Sequence, residues 1–248
     1  MPFELVTAIF KTHYMPVTRR TFLKQSGLAL AAASFSANAV FAARNEAILG
    51  IQLYSVRADM TKDAAGTLKA LAGMGYRYVE HASYVDRKIY GFTVPEFKKM
   101  LDGLGLRMPS GHTVMSARHW DAGKKDFTDA WKYTVEDAAT AGQKFVISPS
   151  LDESIRKNPD ELKKFMDVFN RSGELCKKSG MKFGYHNHDF EFSEKLDGVT
   201  LFDQILKLTD PSLVAQQLDI GNMKNGGGDA MQMLKKYPGR FELLHVKD

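Results

Sequence analysis

The stretch Gly180-Met-Lys-Phe-Gly-Tyr-His-Asn-His-Asp-Phe-Glu-Phe192 holds a helix stop, a strand and a cluster of reactive groups in immediate succession. A glycine such as Gly180 takes the left-handed conformation that ends a helix, and a short link through Lys182 then delivers the chain into the apolar run Phe183 to Tyr185, which reads as a strand. On an extended backbone side chains alternate, so His186 and His188 share one face while Asn187 and Asp189 share the other. Two imidazoles on one surface suit a divalent metal, or one metal ligand beside one sugar-binding donor. The plainer alternative is a polar strand end carrying two exposed histidines.

The same arrangement recurs as Gly75-Tyr-Arg77-Tyr-Val, Gly105-Leu-Arg107-Met and Gly142-Gln-Lys144-Phe-Val-Ile. The repeating unit is therefore helix followed by strand. Strands are predicted to begin near Ile48, Tyr76, Arg107, Lys144, Lys182, Leu213 and Phe241, at spacings of 28 to 38 residues that suit the βα units of a parallel sheet. Amphipathic helices are predicted from Ala64 to Met74, Val94 to Leu104, Asp126 to Ala141, Pro159 to Lys178, Leu201 to Leu208 and Asp229 to Lys236. An open doubly wound sheet would place a Gly-rich phosphate loop after the first strand, where this chain has Tyr54-Ser55-Val56-Arg57. The run Gly226-Gly227-Gly228 lacks the dinucleotide-binding spacing and reads as a flexible link ending in Asp229 as a helix cap. Instead, Glu80, His112, His186, His188, Asp219 and His245 all fall at the carboxyl ends of strands, the distribution of a barrel mouth. The fold class is α/β, a (β/α)₈ TIM barrel over residues 43–248.

The alternation along each strand sharpens the site. Tyr76, Tyr78 and Glu80 share one face, Ala215, Gln217 and Asp219 another, and Phe241, Leu243, His245 and Lys247 a third. If these faces point inward, Glu80, His186, Asp219 and His245 converge on one rim. Two histidines and an aspartate then form a mixed nitrogen and oxygen site for one divalent ion, Mn²⁺, Mg²⁺, Co²⁺ or Zn²⁺.

Composition narrows the partners. The chain has 34 basic and 29 acidic side chains, but residues 1–42 hold four basic and one acidic, which leaves 30 and 28 for the remainder. That near-balance offers neither nucleic acid nor an anionic membrane surface a partner. The single cysteine, Cys176, has no internal disulfide partner and is expected to pack in a helix. Residues 15 to 42 read as an export signal: Thr18-Arg19-Arg20-Thr21-Phe22-Leu23-Lys24, an Ala-rich run, then small residues at Val40 and Ala42. The apolar run from Gly27 to Ala42 falls short of the ~20 residues that a membrane anchor needs. Residues 1–14 precede the signal as an extension.

Leu49-Gly-Ile-Gln-Leu-Tyr-Ser-Val-Arg57, Gly75-Tyr-Arg-Tyr-Val-Glu80, Ser110-Gly-His112, Tyr185-His-Asn-His-Asp189, Leu218-Asp-Ile-Gly-Asn222 and Leu244-His-Val-Lys-Asp248 together resemble the xylose isomerase-like TIM-barrel family of sugar isomerases and epimerases. The segment from Thr18 to Lys24 is similar to a twin-arginine signal, which implies the twin-arginine export machinery as a partner and a periplasmic or otherwise exported protein. The family resemblance implies one divalent metal, a small-molecule sugar substrate, and proton transfer next to its carbonyl. It implies Asp219 and His245 as metal ligands, with His186 standing where the family keeps a glutamate and His188 where it keeps a substrate-binding histidine. On this reading His186 and Glu80 are the catalytic candidates, and Glu80, His112, His188 and Lys247 contact substrate. A homo-oligomer is an open alternative. So are a non-catalytic sugar-binding barrel and, with less support, an AP endonuclease-type phosphodiesterase, which wants about three metals and a basic face. The chain stops as its seventh strand finishes, so the resemblance implies an eighth strand with a further glutamate, and the 248-residue chain alone is expected to be poorly soluble and inactive. Changing Arg19 and Arg20 together to Lys should leave the precursor in the cytoplasm, measured by cell fractionation; unchanged export would overturn the signal.

Overall fold

Gly75, Gly105, Gly142 and Gly180 all adopt positive φ, between +68 and +98°. At each, the residue after the glycine donates its N–H five residues back: Tyr76 to Leu71, Leu106 to Leu101, Gln143 to Ala138 and Met181 to Cys176, at 2.9 to 3.2 Å. These are Schellman closures, and they turn four helices into the strands that follow. The structure, a computed structural model, describes residues 50–247. The export signal and the extension before it lie outside those residues.

The helices so ended include Ala64–Gly73, Val94–Gly103, Asp129–Thr140 and Pro159–Lys178. Seven strands form one parallel sheet in chain order: Gly50–Gln52, Tyr78–His81, Arg107–His112, Phe145–Ser148, Lys182–His186, Val214–Asp219 and Phe241–His245. This is the β-wall of a (β/α)₈ barrel, as the alternating units predict. Register sets the rim, because Gln52 pairs with Glu80, Glu80 with Ser110, His186 with Gln217, and Asp219 with His245. Side chains that share a level and a face in parallel neighbours meet inside the wall.

The long helix Pro159–Lys178 shows how the outer layer is held. Asn158 caps it by accepting from the N–H groups of Asp160 and Glu161, with Pro159 at its first position. Leu162, Phe165, Met166, Phe169, Gly173 and Cys176 recur at helical spacing and are buried against Trp131, Phe183 and Tyr185. Cys176 is fully buried, as expected of a packed side chain. A second cluster, around Leu53, Leu68, Phe97 and Leu106, fills the side of the earlier strands.

Three features depart from the sequence reading. The helix predicted from Asp126 begins at Asp129, because Asp126–Phe127 pairs antiparallel with Trp120–Asp121. A three-stranded ribbon, Tyr84–Val85, Lys88–Ile89 and Phe92–Thr93, follows the second sheet strand, and two-residue strands are too short to leave a periodicity. The Gly226 to Gly228 run is no loose link. A Cβ at Gly226 would lie 2.1 Å from the Asp189 carbonyl oxygen, and one at Gly228 would lie 2.5 Å from Met223 Cγ. These glycines allow two loops to touch; Asp229 does cap the next helix, accepting from Gln232 N–H.

Gly173 makes a comparable close approach, since a Cβ there would lie 2.5 Å from the Leu213 carbonyl oxygen, whereas Gly103 has open space. Gly173→Ala should therefore cost about 1 to 3 kcal/mol of stability by overpacking. Gly103→Ala should be neutral or add about 0.5 to 1 kcal/mol. Urea denaturation of both variants checks the pair, and equal effects would contradict the packing.

Candidate active site

Glu80 lies almost wholly buried inside the wall. Its Oε1 accepts from Gln217 Nε2 at 2.8 Å and its Oε2 from His245 Nε2 at 2.6 Å. Gln217 Oε1 in turn accepts from His112 Nε2 at 2.7 Å and His186 Nδ1 at 2.9 Å, and Gln52 Nε2 donates to His112 Nδ1 at 3.3 Å. Tautomers assigned from this chain of donors and acceptors are mutually consistent. Every ring N–H is used, and both nitrogens of His112 are engaged. The lone pairs left free are His186 Nε2 and His245 Nδ1, which lie 3.7 and 3.9 Å from Asp219 Oδ2.

Asp219 Oδ2 thus lies a few tenths of an ångström farther from each nitrogen than the roughly 3 to 3.5 Å that bonds of ~2.0 to 2.2 Å to one divalent ion would set. His112 also offers a nitrogen within 4.8 Å of His186 and His245. Its hydrogen bonds place it instead behind the donor set, orienting Gln217. The carboxylate behind His245 and the amide behind His186 are the outer partners that fix ligand tautomers in metal sites. Asp219 is aimed by the helix it caps: its Oδ1 accepts from Asn222 N–H at 2.8 Å, which leaves Oδ2 for the site. Lys247 Nζ lies 2.9 Å from that Oδ2 and supplies a positive charge.

Burial and the His112, His245 and His188 rings hold the His186 imidazole well below its ordinary range, so it is neutral at pH 7. Burial would raise the Glu80 carboxyl, but the neighbouring His112 and His245 rings and hydrogen bonds from His245 and Gln217 outweigh it and hold Glu80 well below the usual carboxylate range. Burial and the Lys247 ammonium lower His188. Its ring stacks on Phe190 at 5.8 Å and meets His186 edge-on at 5.3 Å.

Two residues lock the turn that carries these histidines. Asn187, fully buried on the opposite face, accepts from Asp219 N–H at 2.9 Å and donates to Asp219 C=O at 3.0 Å. Glu191 accepts from His188 N–H at 2.8 Å and from the Tyr185 hydroxyl, and burial raises its carboxyl to about 7. Above the donor set opens a cavity of about 1070 Å³ whose lining includes His112, His186, His188, Asp219, His245 and Lys247.

Six of the seven expected site residues, His112, His186, His188, Asp219, His245 and Lys247, thus meet at one cavity. Glu80 differs in its surroundings: it is not among the cavity-lining residues, and its two oxygens accept from Gln217 and His245. The plain reading of exposed histidines fails, since His186 is buried. Gln52, Asn187, Gln217 and Glu191 were not singled out from sequence. For Gln217 the signal was present, since it shares an inward face with Asp219.

A parallel β/α wall with histidines and one aspartate gathered at its carboxyl rim defines a class of TIM barrels built around a mixed nitrogen and oxygen site. A family model described as Xylose isomerase-like TIM barrel matches residues 68–248, and the chain belongs to that family. A solved sugar phosphate isomerase/epimerase from Parabacteroides distasonis is 33% identical with a TM-score of 0.72, over 81% of this chain and 74% of that one. An inosose dehydratase from Clostridium perfringens is 34% identical over 101 residues, 41% of this chain. The match spans a third of that relative's length, 33%. An IolI protein holding a zinc atom, 15% identical with a TM-score of 0.60 over 80% of this chain and 72% of that one, shares the fold alone.

The buried imidazoles set an acid limit on stability. Burial lowers His81 to about 4 from an ordinary 6.5, and His112 and His186 shift the same way. The unfolded chain then binds more protons than the folded one in this window, so stability present above pH 6.5 is lost as pH falls toward 4. Unfolding free energy measured across that window should fall with a slope of more than one proton, and His81→Asn should remove about one proton of it. A slope unaltered by the substitution would sink the assignment.

Proposed function

We propose that this chain forms the barrel of a divalent-metal-dependent enzyme that moves a proton next to a sugar carbonyl, as a sugar isomerase or epimerase, with β-elimination from the same enolised intermediate as the variant reaction. The observation that carries this reading is the set of free donor atoms, His186 Nε2, His245 Nδ1 and Asp219 Oδ2, left after the other ring nitrogens of His112, His186 and His245 have hydrogen-bond partners. These three would hold Mn²⁺, Mg²⁺, Co²⁺ or Zn²⁺, as a ligand set of this composition does. Such an ion, when bound, polarises the carbonyl and hydroxyl oxygens of a substrate.

The chain's own residues supply the rest. His186 uses Nδ1 to donate to Gln217, so with Nε2 on a metal it has no nitrogen left to accept a proton. Its role in this proposal is ligand rather than base. His188 puts a further imidazole beside the donor set and receives the proton, with its ring held by Phe190 and its backbone by Glu191. Lys247, about half exposed at the cavity edge, donates to substrate oxygen once Asp219 turns to the metal. The relatives' names, dehydratase and isomerase/epimerase, describe reactions that share removal of a proton next to a carbonyl when the substrate is a keto-sugar. Under the twin-arginine reading of Arg19 and Arg20 this chemistry runs outside the cytoplasm.

A second reading is favoured by the Lys247 to Asp219 pair, in which an ammonium already balances the carboxylate: a metal-free, non-catalytic sugar binder. Metal analysis separates the two. The protein should take up one divalent ion per chain and catalyse solvent-deuterium exchange into a keto-sugar. Asp219→Ala and His245→Ala should lose metal and exchange together, while His188→Ala should retain metal and lose at least about a hundredfold in exchange rate. Stoichiometric metal in both ligand variants would place the ion elsewhere, and no uptake by the native protein would leave the binder.

A further inference from the structure

The cavity is larger than the reacting sugar requires. Its volume of about 1070 Å³ stands at the top of the range of roughly 300 to 1,000 Å³ that holds drug-sized ligands, several times what one sugar ring fills. The donor set forms one part of its lining. Another part comes from the ribbon after the second sheet strand and from the helix Asp129–Thr140.

That second wall is built with care. The ribbon turns at Asp86 and Arg87, both at positive φ, +48 and +61°, the backbone of a tight hairpin. It is then pinned to the helix: Arg87 donates from Nε and Nη2 to the two oxygens of Asp137 at 3.0 and 2.7 Å, and the Tyr84 hydroxyl donates to the same carboxylate at 2.6 Å. The Arg87 guanidinium also covers one face of the Tyr133 ring at 4.3 Å, yet Tyr133 remains 42% exposed and lines the cavity. Tyr54 repeats the arrangement, with Arg57 over its ring at 4.5 Å; it is 59% exposed and lines the same cavity. Each tyrosine is thus backed by a cation on one face and open elsewhere, the disposition of a stacking platform.

Charge decides what stacks there. A phosphate ester would want several charge-assisted donors. Arg87 is neutralised by Asp137 and Glu136, and Lys247 stands beside Asp219, where it serves the reacting sugar rather than a second group. Among the described residues that line the cavity, Arg118 is the guanidinium without a carboxylate within ion-pair distance. The lining therefore favours a ring over an anion.

We propose that the cavity takes a neutral two-ring glycoside, the reacting sugar at the His186, Asp219 and His245 side and the second ring against Tyr133 and Tyr54. This deepens the proton-transfer reading and rests on it for which ring reacts. The test does not depend on turnover. Phenyl β-D-glucopyranoside, methyl β-D-glucopyranoside and glucose 6-phosphate are titrated calorimetrically into the native protein. The phenyl glycoside should bind about tenfold more tightly than the methyl glycoside, the factor a ring stacking on an aromatic face supplies. Tyr133→Ala and Tyr54→Ala should each shrink that ratio toward one, and Tyr133→Phe should preserve it. A native ratio near one, or a ratio untouched by both alanine variants, overturns the second-ring site. Tightest binding of glucose 6-phosphate, lost in Arg118→Ala, would show an anion site instead. A tenfold ratio in a protein with no metal uptake and no exchange would keep this subsite and remove the proton-transfer function.

Discussion

A buried carboxylate dominates the interior of this barrel. Glu80 is nearly inaccessible, and an ionised carboxylate in that position is tolerable only if its oxygens are satisfied by donors. The donors come from strands far away in sequence, Gln217 and His245, and the His112 ring completes the surroundings. Satisfying one charge therefore fixes the orientation of three side chains. Because Gln217 passes the constraint on to His112 and His186, the hydrogen-bond polarity of the whole rim follows from it. The free lone pairs are a consequence of that polarity rather than a separate design.

The rim is also braced from outside. Asn187 and Asp219 exchange two hydrogen bonds, so the ends of neighbouring strands cannot slide past one another without breaking both. Glu191 ties the backbone of His188 to Tyr185, which is itself buried against the helix Pro159–Lys178. The helix layer and the rim are coupled in this way. Packing of Phe169 and Phe183 in the outer core supports the geometry of imidazoles on the other side of the sheet.

The cavity wall follows a different logic. The ribbon and the helix Asp129–Thr140 meet through one bidentate ion pair and one hydroxyl, and a guanidinium on a tyrosine face. These contacts use arginine's charge internally and leave aromatic surface facing the cavity. The barrel is thus combined with a lining whose chemistry is set by the segments that follow its strands, as loops on a rigid scaffold commonly set specificity.

The local sequence determined what depends on local physics. Gly75, Gly105, Gly142 and Gly180 announce helix ends because positive φ is cheap only for glycine, and the period of the units they close implies a parallel sheet. Strand alternation puts His186, Asp219 and His245 on inward faces, while the slip in register at Gln216 and Gln217, which no local pattern shows, brings Asp219 level with His245. The short ribbon escaped because two-residue strands have no period. What only the tertiary structure decided is which atoms of the cluster are free. Glu80 meets Gln217 137 positions away and His245 165 positions away. No local pattern shows whether an inward carboxylate faces substrate or a histidine N–H. Glu80 reads from sequence as a catalytic group and lies in the fold as a buried acceptor, because a tautomer is set by a partner across the barrel and not by neighbours along the chain.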